Sequence, residues 1–310
     1  MSALRDLNDG ERAAYFRGIQ PIWGGGLDEP RFQLFQRRLA DSGEARGRYR
    51  LLGWFDGPRL LSALKAYDLA GLFRGARLRL LGIGAVFTPP EQRRQGHAAA
   101  LLRAVLDEYR LSGAHAAVLF SDIDAAYYGR LGFLPLESRE SSVDLGQLPK
   151  LANGFRSAMA GDEEPMSRLF AGAQEGTQHF SFFRDGWTLR FQLRRLRELA
   201  RARGVGEPEW GIMDTAGEGA AMLRFGRDAV DVLDAAWTSE RGRERVLSGL
   251  RDCLTRSGRT KLRVWPAAQL RGLYPAEPRA SALAMFAPLS QGAPPPAPDA
   301  AVDFALLDHI

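Results

Sequence analysis

The pattern of apolar and polar positions is clearest between residues 78 and 133. Leu80–Phe87 is a continuous apolar run of strand length, and Pro89-Pro90 halts it. Ala98, Ala99 and Ala100 are strong helix formers. Leu101, Leu102, Val105, Leu106 and Tyr109 then recur on one stripe of a 3.6-residue helix. Ala116–Phe120 is a second apolar strand. Ser121–Gly129 predicts a turn and short helix carrying Tyr127-Tyr128, and Leu131-Gly132-Phe133 closes the unit.

Residues 11–45 predict two helices around Gly24-Gly25-Gly26, with Tyr15, Ile19, Ile22, Phe32, Leu34, Phe35 and Leu39 as apolar positions. Tyr49–Phe55 reads as a strand, Asp56-Gly57 as a hairpin turn, and Arg59–Ala66 as its return. Arg77–Thr88 follows. A last strand of this half is expected near Phe133–Leu136 or Ser142–Leu145. From Asn153 the order begins again. Phe155–Met159 opens it and a helical pattern runs through Leu169. Trp187–Arg203 is an arginine-rich helix. Strands are expected at Trp210–Met213, Ala220–Phe225, Ala229–Trp237 and Lys261–Trp265, with a helix over Arg243–Arg256. Gln291–Asp299 (QGAPPPAPD) reads as an extended connector. Val302–Leu307 is apolar enough to dock as a strand; completing the second sheet is its expected role, and docking between the lobes, where His309 or the terminal carboxylate could reach the acceptor cleft, is the alternative. The units are thus 1–150, 151–290 and a tail of 291–310.

The hand-over from strand to helix carries candidate chemistry. Arg93-Arg94-Gln95-Gly96-His97-Ala98 sits where free N–H groups and the positive end of the helix dipole favour an anion. Gly96 presents no side chain to an approaching phosphate. Ala98 keeps the first turn slim, and Arg93, Arg94 and Arg103 can add charge-assisted bonds. Tyr128, one strand later, is either a core tyrosine or a proton donor.

Composition narrows the classes. The 310 residues are 45% hydrophobic and 25% charged, which suits a globular chain of one or two domains. No apolar run nears the ~20 residues needed to span a bilayer. The charged start, without an apolar core, is not read as a secretory signal. The single Cys253 allows no internal disulfide and fits a reducing, cytoplasmic setting. It lies in a helical apolar pattern, which favours packing over nucleophilic chemistry. A net charge of +5 would attract an anionic cofactor. The arginines are scattered rather than clustered, which argues against nucleic acid as partner. Four histidines and one cysteine show no metal-ligand spacing.

Residues ~45–137 resemble a GCN5-related N-acetyltransferase (GNAT) domain. Arg93-x-x-Gly96-x-Ala98, with Pro90 before it, resembles that family's pyrophosphate loop for acetyl-CoA, and Tyr128-x-x-Leu131-Gly132-Phe133 its tyrosine motif. The resemblance implies an α/β fold with a GNAT-type mixed central sheet flanked by helices, followed by a second, degenerate GNAT-like α/β lobe. It implies acetyl-CoA as co-substrate without a metal. Val86, Phe87 and Thr88 would hold the pantetheine arm, and Arg93, Arg94, Gln95, Gly96, His97 and Ala98 the pyrophosphate. Tyr128 would protonate or hydrogen-bond the leaving thiolate. The implied reaction is direct attack of a primary amine, of a small molecule or peptide, on the thioester.

In the second half the loop position reads Ser239-Glu240-Arg241-Gly242-Arg243-Glu244, whose acids would repel a pyrophosphate. No second tyrosine motif follows. That lobe is therefore read as structural or acceptor-shaping. The base is not named by the sequence. Asp122, His309 and the terminal carboxylate are candidates, and Asp122 and Asp124 serve equally as helix caps. Trp23, beside three glycines, is a candidate cleft wall. A non-catalytic acyl-CoA-binding protein of the same fold is the alternative reading. The acceptor, the acyl chain and the oligomeric state stay open.

Overall fold

The computed structural model describes residues 2–150, 153–175, 177–265 and 268–290, together with the backbone pairing of Val302–Asp303. The chain opens with β1 (Ser2–Asp6), α1 (Asp9–Trp23) and α2 (Glu29–Ala40). Asn8 and Glu11 cap α1 reciprocally, and Asp28 accepts from the Arg31 N–H at 2.9 Å to start α2. β2 (Tyr49–Asp56), β3 (Arg59–Phe73) and β4 (Ala76–Phe87) form a meander. α3 (His97–Leu111) crosses over to β5 (Ala116–Ser121), which runs parallel to β4. α4 (Ala125–Gly129), β6 (Leu134–Pro135) and β7 (Arg139–Asp144) follow.

The second half comprises β8 (Phe155–Ser157), α5 (Glu163–Gly172), β9 (Phe180–Phe182), α6 (Gly186–Arg203), β10 (Gly211–Asp214), β11 (Gly219–Phe225), β12 (Ala229–Trp237), α7 (Glu240–Ser257), β13 (Lys261–Val264), β14 (Glu277–Pro278) and β15 (Leu283–Pro288). The backbone of β16 (Val302–Asp303) comes last.

The sheets exchange strands. The first runs β1-β2-β3-β4-β5-β15-β6, with β9 beside β3 and β16 beside β9. The second runs β14-β7-β13-β12-β11-β10-β8. Both sites expected for a last strand of the first half are occupied, but in different sheets: β6 contacts β15 of the first, while β7 pairs β13 of the second. In return β15 adds to β5 over Leu283–Pro288. The expected placement of the C-terminal strand in the second sheet is corrected. Val302 and Asp303 pair with Phe180 and Ser181 on β9, beside the first sheet, because β3 outruns β2 and leaves an edge at Gly71 and Leu72 that β9 occupies. The Pro-rich connector and His309 lie outside the described residues.

Alternation along β3 and β5 splits the first lobe's core into two faces. Leu64, Ala66, Ala117 and Leu119 pack with Leu101, Leu102, Val105 and Leu106 of α3. Ala63, Tyr67, Ala116 and Val118 face the other way, toward α1, α2, α6 and the second lobe. α2 and α6 join the lobes there. Arg48 pairs with Asp185 at 2.6 Å, and Trp187 Nε1 donates to the Glu44 carbonyl at 2.6 Å.

Candidate active site

β4 and β5 run together only over Leu80–Ile83 and Ala116–Leu119. Beyond Ile83 they part, while β4 stays on β3. A bulge marks the parting. Lys65 stands opposite Gly84 and Ala63 opposite Phe87, so Ala85 and Val86 together face one residue of β3. Ala85 takes φ +47°, a left-handed conformation for a residue with a Cβ. Tyr15 of α1 donates to its carbonyl at 2.6 Å and holds the bulge. Val86 packs toward α3, and Phe87 toward α1, where it fills the space that a side chain at Gly18 would need. Ser62 Oγ donates to the Phe87 carbonyl at 2.9 Å and lies 3.1 Å from Thr88 Oγ1. Val86, Phe87 and Thr88 thus line one side of the gap.

The gap opens toward the N-terminus of α3. Arg93, Arg94, Gln95 and Gly96 are exposed, and His97 and Ala98 form the partly exposed first turn. Gly96 caps the helix at φ +81°, with no side-chain cap and no acid in the first turn. A Cβ there would meet nothing within 4 Å. Arg93 Nε donates to the Thr88 carbonyl at 3.2 Å, and Gln95 to the Glu91 carbonyl at 3.1 Å, so the loop holds its own shape. His97 Nε2 lies 3.3 Å from Gln95 Oε1. The helix end therefore presents its free N–H groups and positive dipole to solvent.

The matching helix end in the second lobe is filled. Ser239 accepts from the Gly242 N–H at 3.0 Å and donates to Glu218 at 2.9 Å. Gly242 is packed so closely that a Cβ would stand 2.6 Å from the Glu218 carbonyl oxygen. Here the Ser239 hydroxyl takes a helix N–H, and the Glu218 carboxylate braces that hydroxyl.

Tyr128 sits on the α3 side of the gap, 8% exposed, edge-on to Phe133 and Tyr127. Its hydroxyl makes no hydrogen bond to any described residue. Burial, with the charges of Tyr127 and Asp122 behind it, pushes its pKa up to about 12. Asp124 caps α4 by accepting from the Ala126 N–H at 2.9 Å, and Asp122 accepts from the Ala282 N–H at 2.8 Å. Both acids are thus engaged in holding turns. Trp23 is exposed at the end of α1. Cys253 is buried among α7's apolar residues, and burial pushes its thiol up to about 12, out of nucleophilic range.

Two groups escaped the sequence reading. Lys65 lies beside the bulge and donates to Gln36 Oε1 at 2.8 Å. Burial, then the charge of Arg195, pushes its amine down to about 7. A single lysine inside the apolar run of β3 was the available signal. Arg279 lies between β14 and β15, 6% exposed, over the Trp265 ring at 3.6 Å. Nothing in its local sequence marks it. No three His, Cys, Asp or Glu side chains converge as a metal site among the described residues, and no described helix is long and apolar enough to cross a membrane.

A family model for the acetyltransferase (GNAT) domain matches residues 5–136. No curated protein matches the chain. Similar solved structures include a GCN5-related N-acetyltransferase from Kribbella flavida, 18% identical, covering 92% of this chain and 70% of that one at TM-score 0.70. Another, from Anabaena variabilis ATCC 29413, is 13% identical and covers 94% and 73% at TM-score 0.70. A tandem GNAT protein from the clavulanic acid biosynthesis pathway is 12% identical and covers 94% and 99% at TM-score 0.51. At these identities the likeness is one of fold, and it extends over both lobes.

Proposed function

With residues 5–136 an acetyltransferase (GNAT) domain, we propose that the chain transfers the acetyl group of acetyl-CoA to a primary amine, at one site, in the first lobe. The observation that carries this is the parted β4–β5 pair opening on an uncapped α3. Backbone groups at Val86, Phe87 and Thr88 hold the pantetheine arm. The α3 N-terminus, flanked by Arg93 and Arg94, holds the pyrophosphate. The second lobe, whose equivalent helix end is filled by Ser239 and Glu218, shapes the acceptor side.

The amine must arrive without its proton, since an ammonium has no lone pair. Its nitrogen attacks the thioester carbon, and backbone N–H groups at the bulge stabilise the oxyanion. The C–S bond then breaks. The proton carried by the attacking nitrogen passes through water to the sulfur, leaving an amide and the free thiol. Tyr128 assists as a hydrogen-bond donor. Full transfer from a phenol near 12 to a thiolate of ordinary pKa near ~8.5 is uphill by ~5 kcal/mol. A hydrogen bond to the developing thiolate costs nothing of that kind.

Two measurements test the reading. Calorimetric titration with acetyl-CoA should give one site per chain. A panel of primary amines should release CoA thiol in the presence of the protein. Two equivalent sites, or none, would refute the assignment to the first lobe. Binding without thiol release across the panel would favour an acyl-CoA sensor.

A further inference from the structure

We propose that Arg279 anchors a carboxylate of the amine acceptor, so that the substrate is an amino-carboxylate rather than a simple amine. This rests on the acetyltransfer reading and names its acceptor class. Arg279 is 6% exposed, yet its Nε and Nη1 are sealed from solvent without a hydrogen-bond partner. No described carboxylate pairs with it. Elsewhere the chain supplies acids for such groups: Arg184 holds Asp234 at 2.5 Å, Arg245 holds Asp214 at 2.8 Å, and Asp231 takes both Arg224 and Arg263. Glu140 attracts Arg279 through space but forms no ion pair with it. Burial pushes the guanidinium down to about 10, so it remains charged at neutral pH. A buried charge without a counter-ion is costly, and a ligand that supplies one recovers the loss.

Its position fits the acceptor. The backbone N–H of Arg279 donates to the Ser138 carbonyl at 2.8 Å, and that of Ala282 to Asp122 at 2.8 Å. Leu283 and Ala284 then pair with Ser121 and Phe120. The segment is thereby fixed to the end of β5, on the turn that leads to Tyr128. Phe120 projects from the face of β5 opposite Tyr128 and α3. It packs on Trp265 at 5.6 Å and Phe182 at 6.4 Å, and its ring lies 5.9 Å from the Arg279 guanidinium. A donor held from the α3 side and an amine arriving from this face would meet in the gap. One guanidinium balances a monoanion, and the aromatic neighbours suit an organic acid better than a hydrated phosphate dianion.

The test uses matched amines with acetyl-CoA: L-phenylalanine against 2-phenylethylamine, L-lysine against 1,5-diaminopentane, and 2-aminoethyl phosphate against ethanolamine. The full chain should prefer the carboxylate member of at least one pair by about 30-fold or more in kcat/KM, the scale expected of a buried charge pair. Arg279→Met should collapse that ratio toward one while acetyl-CoA affinity holds. Its unliganded Tm should rise, because an unpaired buried charge is removed, whereas loss of a merely structural clamp would lower it. Arg279→Lys should keep part of the preference. Equal rates within every pair, no turnover of any carboxylate member, a preference for the phosphate, or a ratio insensitive to Arg279→Met would each overturn the proposal. Failure to bind acetyl-CoA in calorimetry would instead sink the acetyltransfer reading.

Discussion

Gly96→Val separates folding from cofactor binding. The added Cβ would meet no atom within 4 Å, so packing contributes no penalty. The cost is backbone strain at φ +81°, about 1–2 kcal/mol for a residue with a Cβ. Against a typical stability of ~5–15 kcal/mol the protein stays folded. Its Tm should fall by only about 2–8 °C. Binding should suffer far more. The free N–H groups at the start of α3 depend on the Gly96 conformation, and a hydrogen bond to a charged group is worth ~1.5–3 kcal/mol. Losing two such bonds weakens acetyl-CoA binding by ~10²–10⁴-fold. Gly242→Ala is the mirror experiment. Its Cβ would stand 2.6 Å from the Glu218 carbonyl oxygen, so stability should drop while acetyl-CoA affinity is unchanged. Calorimetric titration and thermal melts on both variants read the outcome. Wild-type affinity in Gly96→Val, or lost affinity in a folded Gly242→Ala, would refute the assignment of the site to the first lobe.

Tyr128→Phe should lower kcat by ~10²–10³-fold, as loss of a transition-state hydrogen-bond donor does, with acetyl-CoA affinity within a few-fold of wild type. Because Tyr128 is pushed up to about 12, wild-type kcat should not lose this donor below that pH; an alkaline fall that Tyr128→Phe abolishes near pH 9 would contradict it. Lys65 is held at about 7 when folded and returns to about 10.5 when unfolded, so between these values the unfolded chain binds more protons. Stability should therefore rise from pH 7 to 9.5, by up to ~1.4 kcal/mol per unit, and Lys65→Met should flatten that slope in urea melts; an unchanged slope assigns it to another group. Deleting Asp308–Ile310 tests the terminal carboxylate as base: we expect turnover and acetyl-CoA affinity to hold, and lost turnover at constant Tm would make the terminus catalytic.

Local signals made much of this protein legible. α3 was readable because five apolar residues repeat on one stripe and a glycine stands at its start. The departure of the second lobe's loop from the motif was readable from Glu240 and Glu244; the Ser239 cap on α7 and the Glu218 carboxylate that braces it were not, because Glu218 lies more than twenty residues away. The strand exchange was not legible. β15 is a short run whose partner, β5, lies more than 160 residues earlier, and nothing local says which sheet it joins. β9, three residues long, is too short for any period to register. β1 was passed over because its edge position leaves most of its side chains exposed, which reads as a polar terminus. Lys65 and Arg279 were missed for a related reason. Their importance comes from what surrounds them, and those neighbours are distant in the chain.

On the proposed function, the exchange also explains how the second lobe can matter to chemistry placed in the first. The first half's own longer last strand, β7, goes to the second sheet and does not cover β5. Instead β15, reached only after the whole second sheet is built, covers the β5 edge from Ala116 to Ser121. The segment leading into β15 carries Arg279 and is tied back to β7 through Pro278 opposite Arg139. Because Ala282 bonds Asp122 directly, Arg279 is held in register with the turn before Tyr128. In the second lobe the α7 N-terminus is capped by Ser239, which is braced by Glu218; on the proposed function this lobe acts on the acceptor side rather than on the cofactor. On the proposed function, the second lobe would be kept for its geometry, because the strand that follows it, β15, completes the first sheet beside the proposed site.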